Sequence, residues 1–240
     1  MPSTPPKKAH PSSYPDRDQS LQRLQPMSSA LHTIMTTAPV IPVLAIDKIE
    51  QAVPLAQALV AGGLRVLEIT LRTEVALAAI EQMIRSVPEA IIGAGTIRTI
   101  DDLARVEQAG VRFAVSPGLT ADLAKAARRS SVPLLPGIAT ASEIMAANDH
   151  GFDHLKFFPA ESSGGVQAVK NFFGPFPDVR FCPTGGIGLA KAADYLNLPN
   201  VLCVGGSWIA PKSAVQHENW AEIERLSSEA FRTAAQHPEG

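Results

Sequence analysis

The stretch Val66-Leu67-Glu68-Ile69-Thr70-Leu71 reads as a strand that is apolar on both faces and carries a single carboxylate. Near-continuous apolar runs suit parallel strands covered by helices, whereas a half-exposed antiparallel strand alternates strictly. Seven further runs of this kind are Val40 to Ile46, Ala90 to Gly93, Arg112 to Ser116, Pro133 to Pro136, His154 to Phe158, Arg180 to Pro183 and Val201 to Val204. Their centres recur every twenty-odd residues, with helical stretches between them. Ile49 to Ala61 carries Val53, Leu55, Ala56 and Leu59 at helical spacing, and Thr99 with Asp102 predicts an N-cap for a helix over Asp101 to Ala109. Thr140 with Glu143 has capping-box spacing. Near the end, Trp220, Ile223, Leu226, Ala230 and Phe231 form an amphipathic stripe, and a short helix over Ser29 to Thr36 is expected through Leu31, Ile34 and Met35. Eight βα units in about 210 residues predict an α/β fold of the closed (β/α)8 TIM-barrel type rather than an open doubly wound sheet.

Composition agrees with one such domain. The chain has 240 residues, 45% of them hydrophobic and 18% charged, enough to bury one sizeable core. A formal net charge of -2 leaves no basic footprint for nucleic acid, and no stretch has the apolar length that spans a bilayer, so a small soluble partner is favoured. Cys182 and Cys203 both sit in apolar runs outside any Cys-x-x-Cys arrangement, which predicts ordinary buried thiols in a reduced, cytoplasmic protein, although the two can be neighbours in space. Residues 1–28 are different in kind: Pro2, Pro5, Pro6, Pro11, Pro15 and Pro26 alternate with serines and charges and predict a flexible tail ahead of a barrel domain over 29–240. Lys7 and Lys8 precede no apolar segment, so a secretory signal is not expected, and Asp16 and Asp18 argue against a transit peptide. The composition break also makes Met27 a candidate start.

In a barrel of this kind the chemistry gathers at the carboxyl ends of the strands. Lys156 lies within His154-Leu155-Lys156-Phe157-Phe158-Pro159, where an ammonium is either paired or used as an amine nucleophile on a carbonyl. Glu68 is an isolated carboxylate suited to moving protons, or to pairing with Arg72, whose own strand-end position suits an anionic group. Gly93-Ala94-Gly95-Thr96 reads either as an anion-binding loop or as a compact turn. Pro117 with Gly118, Pro136 with Gly137, and Phe158 with Glu161 fall at other strand ends. Gly185 and Gly186 after the seventh run, and Gly205 and Gly206 with Ser207 after the eighth, offer unobstructed backbone N–H groups for a phosphate. His10, His32, His150, His154, His217 and His237 are scattered, so no metal site is expected.

Taken together, Arg65-Val-Leu-Glu-Ile-Thr-Leu-Arg-Thr73, Gly93-Ala-Gly-Thr96, Ser116-Pro-Gly-Leu119, Leu135-Pro-Gly137, Lys156-Phe-Phe-Pro-Ala-Glu161, Val179-Arg-Phe-Cys-Pro-Thr-Gly-Gly-Ile187 and Val204-Gly-Gly-Ser-Trp208 resemble the 2-keto-3-deoxy-6-phosphogluconate (KDPG) and 4-hydroxy-2-oxoglutarate aldolase family. The resemblance runs from about Ile34 to the final helix and leaves out the tail. It implies a cofactor-free, homotrimeric class I aldolase of the Entner-Doudoroff pathway. Carried onto matching positions, it makes Lys156 the Schiff-base lysine and Glu68 the proton shuttle. Arg72 and Thr96 would grip the pyruvyl carboxylate, Phe158 would pack on the substrate and Thr184 would line the pocket, while Gly185, Gly186, Gly206 and Ser207 would receive the phosphate. A phosphosugar isomerase or epimerase using Glu68 as base, and a non-catalytic sugar-phosphate binder, are the alternatives on the same barrel.

Overall fold

The structure, a computed structural model, describes residues 28–235. The predicted tail therefore lies outside the described residues apart from Ser28, and so does the candidate start at Met27. A helix α1 over 28–37 leads into β1 (Val40–Leu44), after which helices and strands alternate. The order is α2 (Ala52–Ala61), β2 (Val66–Thr70), α3 (Ala76–Ser86), β3 (Ile91–Gly95), α4 (Ile100–Gln108), β4 (Phe113–Val115) and α5 (Ala121–Ala127). Then come β5 (Leu134–Leu135), β6 (Gly137–Ile138), α6 (Ala141–Asp149), β7 (His154–Phe157), α7 (Gly165–Phe172), β8 (Arg180–Pro183), α8 (Leu189–Leu196), β9 (Val204–Gly206), α9 (Lys212–Gln216) and α10 (Trp220–Ala235).

Every residue of β2 is buried, as a parallel strand clad by helices requires. The strands form a six-stranded sheet in the order β5-β4-β3-β2-β1-β9 and a three-stranded sheet β6-β7-β8, with parallel pairing throughout. The run expected over Pro133 to Pro136 thus holds only β5, and a second short strand, β6, follows beyond its end. Pro136 separates them because it has no N–H to give to a ladder, and its carbonyl instead accepts from Lys156 N at 2.9 Å. Between β8 and the chain leading into β9 the pairing reduces to two isolated bridges, Phe181 with Val201 and Thr184 with Gly205. The last strand is therefore Val204–Gly206 and not the predicted Val201 to Val204.

Local signals explain the helices. The predicted N-cap at Thr99 and the predicted capping box at Thr140 both form, each as a full capping box: Thr99 Oγ1 accepts from Asp102 N at 3.0 Å and Thr140 Oγ1 from Glu143 N at 3.3 Å, and each acid accepts from the backbone N–H of its cap. Thr120 caps α5 in the same way through Leu123 N. On α10, Ile223 and Ala230 are buried while Phe231 stays 39% exposed, so the predicted stripe is core only in part. Ser227, a polar residue of α10, is fully buried instead, donating to Leu59 O at 2.8 Å where Gly62 leaves no Cβ in the way. Helix α1 buries Leu31, Ile34 and Met35 and is clasped at the amino end of β7. There the Ser28 hydroxyl donates to Asp153, and His32 Nδ1 lies 3.2 Å from His154 Nε2.

Removing the cap of α6 tests this account of the helices. Thr140→Ala is expected to cost about 0.5–2 kcal/mol, seen as a lower urea midpoint with an unchanged slope and unchanged turnover, because the lost bonds are exposed and local.

Candidate active site

Glu68 is central in β2 and Lys156 is in β7, in different sheets, yet Lys156 Nζ lies 3.2 Å from Glu68 Oε1 and 3.5 Å from Oε2. Their side chains are only 7% and 5% exposed, so this is a desolvated pair enclosed by strands. The partner of Glu68 is thus Lys156 and not Arg72. Arg72 stands exposed just past β2, where its Nε donates to Thr70 Oγ1 at 3.0 Å and Thr70 Oγ1 in turn donates to Leu44 O at 2.7 Å. The Phe158 ring lies beside the ammonium, its centroid 5.4 Å from Nζ, within reach of a cation–π attraction.

Room for the carboxylate comes from β3, whose register sets Gly93 beside Glu68 and Gly95 beside Thr70. A Cβ at Gly95 would collide with Glu68 Oε1 and lie 2.8 Å from its Cδ, and one at Gly93 would collide with the Phe113 ring. The Gly-Ala-Gly segment is therefore strand, with two missing side chains on one face, and only Thr96 lies beyond its end. The signal was present in the sequence as glycines two apart, the period of a strand. Thr96 has φ 64, a left-handed conformation that a β-branched residue rarely adopts.

The segments that carry the glycine pairs also meet. Thr184 and Gly205 form a bridge, and Gly205 has no Cβ because the Thr184 hydroxyl fills its place, so the two glycine segments are joined at their starts. Gly185 and Gly186 take φ 107 and 76, which turn successive backbone N–H groups in a way that only glycine allows without strain. Gly206 accommodates the Trp208 ring, and Ser207 is exposed. Thr184 itself is buried, its hydroxyl 3.8 Å from Cys182 Sγ.

The family description "KDPG and KHG aldolase" matches residues 31–226. This chain belongs to that family. It is 53% identical over 202 residues to the 2-dehydro-3-deoxy-phosphogluconate aldolase of Pseudoalteromonas atlantica, covering 84% of this chain and 94% of that relative. It is 52% identical over 206 residues to the KHG/KDPG aldolase of Escherichia coli, covering 86% and 97%. Among solved structures, the KDPG aldolase of Legionella pneumophila, with pyruvate captured as a covalent carbinolamine intermediate, is 48% identical with a TM-score of 0.82 over 83% of this chain and 97% of that one. The Zymomonas mobilis aldolase with 3-phosphoglycerate is 49% identical with a TM-score of 0.81 over 85% and 96%.

Two further features of this KDPG and KHG aldolase family member border the site, one of which, the buried thiols, the sequence predicts. Cys182 and Cys203 are free and buried, and Cys182 lies opposite Lys156 in the sheet register. Interaction with the Cys182 thiol, together with burial, holds the Cys203 thiol well above its ordinary range, so that it stays protonated. Glu161 is bound by Lys191 and by Tyr195, two residues that no strand-end pattern singles out.

The geometry around Gly95 yields a test. Gly95→Ala is expected to fold but to lose at least tenfold in kcat, because the new methyl displaces the Glu68 carboxylate from Lys156. Steady-state turnover together with a circular dichroism melt separates that loss from unfolding.

Proposed function

We propose that this chain is a class I aldolase that cleaves KDPG to pyruvate and glyceraldehyde 3-phosphate, and also 4-hydroxy-2-oxoglutarate to pyruvate and glyoxylate. The observation that carries this reading is the buried 3.2 Å contact between Lys156 Nζ and Glu68 Oε1. A nucleophilic amine must be neutral to attack, and a carboxylate at hydrogen-bond distance can take its proton and return it later.

In this mechanism Lys156 adds to the C2 ketone, and the carbinolamine loses water to a protonated imine. The imine is the electron sink for the C3–C4 bond, so the route calls for no cofactor. Glu68 removes the C4 hydroxyl proton as that bond breaks, and the aldehyde leaves. The enamine is then protonated at C3, and water activated by Glu68 hydrolyses the imine and frees pyruvate. Arg72 and Thr96 hold the pyruvyl carboxylate, which suits the exposed guanidinium and the strained, strand-end threonine. Phe158 and Thr184 pack along the substrate. Gly185, Gly186, Gly206 and Ser207 receive the phosphate, a reading supported by the adjacency of the two loops and by the positive φ of both first-loop glycines.

The strands in this reading close as one (β/α)8 barrel, with β5 and β6 acting as a single strand bent at Pro136. The two bridges from β8 to the β9 segment support it. The functional form is a cytoplasmic homotrimer. Only two cysteines, both buried and outside any Cys-x-x-Cys arrangement, suit a reducing compartment, and Ile100 and Met145, 50% and 60% exposed, are apolar side chains that a subunit contact would cover.

Borohydride added with pyruvate should trap the imine as a secondary amine on Lys156 and abolish cleavage. Peptide mass analysis that finds the label on another lysine would sink the assignment. For the phosphate loops, Ser207→Asp should depress use of KDPG far more than use of 4-hydroxy-2-oxoglutarate, because the new charge repels only the substrate that carries a phosphate. Parallel kcat/KM measurements read that ratio, and an equal loss for both substrates would remove the phosphate role of the loops.

A further inference from the structure

A second ionic cluster stands beside the proposed phosphate loop. Glu161 opens a 3-10 turn, Glu161–Ser163, just after β7. Its Oε2 pairs with Lys191 Nζ from the first turn of α8, and its Oε1 accepts a 2.6 Å bond from the Tyr195 hydroxyl one turn further on. Lys191 and Tyr195 thus reach Glu161 from one face of the same helix. Tyr195 is fully buried, and burial together with its bond to anionic Glu161 keeps the phenol protonated as a donor. The bond from Lys191, and after it the bond from Tyr195, hold the Glu161 carboxyl below its usual range.

The position of each charge is unusual. A lysine in the first turn of a helix faces the positive end of the macrodipole, where an anion is preferred. Glu161, for its part, sits against the Gly185–Gly186 loop. Its N–H donates to Gly185 O at 3.1 Å, and a Cβ at Gly186 would lie 2.9 Å from Glu161 Cβ and 3.0 Å from Cγ. A carboxylate this near a phosphate loop would repel the ligand unless its charge were matched.

We propose that Glu161, Lys191 and Tyr195 form a positioning unit that sets selectivity for the phosphorylated substrate over the unphosphorylated one. Glu161 ties the loop after β7 to Gly185 and Gly186, Tyr195 fixes its carboxylate, and Lys191 cancels its charge beside the phosphate. The inference rests on the reading of those glycines as phosphate ligands. All three side chains act at the phosphate end of the site and act on the substrate through the loop.

The test is steady-state kinetics on both substrates for Lys191→Met, Glu161→Gln and the double variant, at low and high ionic strength. Lys191 is 58% exposed, so its replacement leaves the core untouched. Lys191→Met should raise KM for KDPG roughly three- to tenfold relative to KM for 4-hydroxy-2-oxoglutarate, with kcat little changed, since a lone carboxylate now faces the dianion. Added salt should shrink the difference, and adding Glu161→Gln should restore the ratio by removing the offending charge. Equal losses on both substrates, insensitivity to salt, or failure of the double variant to restore the ratio would overturn the proposal. If Ser207→Asp is selective and Lys191→Met is not, the charge-matching role falls and the phosphate loop stands. If neither variant is selective, the phosphate-loop reading has failed and this inference falls with it.

Discussion

An ammonium and a carboxylate shut away from water and 3.2 Å apart set the terms for the rest of this molecule. Desolvating each ion costs several kcal/mol, and their mutual attraction repays this only with close geometry, so such a pair is poor value as a stabiliser. Its use is chemical, and the surrounding sequence is arranged to hold it. Gly93 and Gly95 empty one side of β3, the Phe113 ring and the Glu68 carboxylate fill the space, and the Phe158 ring lies beside the ammonium. Deleting either ion would leave the other buried without a partner, a loss of about 3–5 kcal/mol by the general rule for such pairs. Replacements that keep shape are therefore the informative ones.

The two ends of the strands do different work. At the carboxyl ends stand left-handed backbone conformations: Thr96 at φ 64, costly for a β-branched residue, and Gly185 and Gly186 at φ 107 and 76, which glycine adopts freely. The Thr184–Gly205 bridge and the bond from Glu161 N to Gly185 O pin the glycine loop from both sides. At the amino end of β7 the contacts serve docking instead. Helix α1 lays Leu31, Ile34 and Met35 onto the core, and its polar edge is satisfied by Asp153 and His154. Membership of the KDPG and KHG aldolase family agrees with this division, since the matched residues 31–226 take in both ends.

Much of this was legible in the chain itself, and the reason is range. A capping box needs only Thr99 and Asp102, or Thr140 and Glu143, and both formed as their spacing requires. Apolar runs without alternation announced parallel strands, and those strands are buried and parallel. Lys156 and Glu68 drew notice because each breaks an apolar run, an anomaly visible without any fold. Sequence and structure part where one residue changes the outcome: a second strand follows Pro136, and Gly95 belongs to β3 and not to the loop beyond it.

What tertiary structure alone decided is which charged groups meet. From the sequence, Arg72 was as good a partner for Glu68 as any, being the near cation; the partner is Lys156, 88 residues away. The same holds for Glu161 with Lys191 and Tyr195, and for Cys182 with Cys203. Periodicity and capping depend on neighbours along the chain, so composition and spacing determine them. Pairing across strands depends on sheet order and register, and those follow from packing the whole core, in which Glu68 falls opposite Gly93 and Lys156 opposite Cys182.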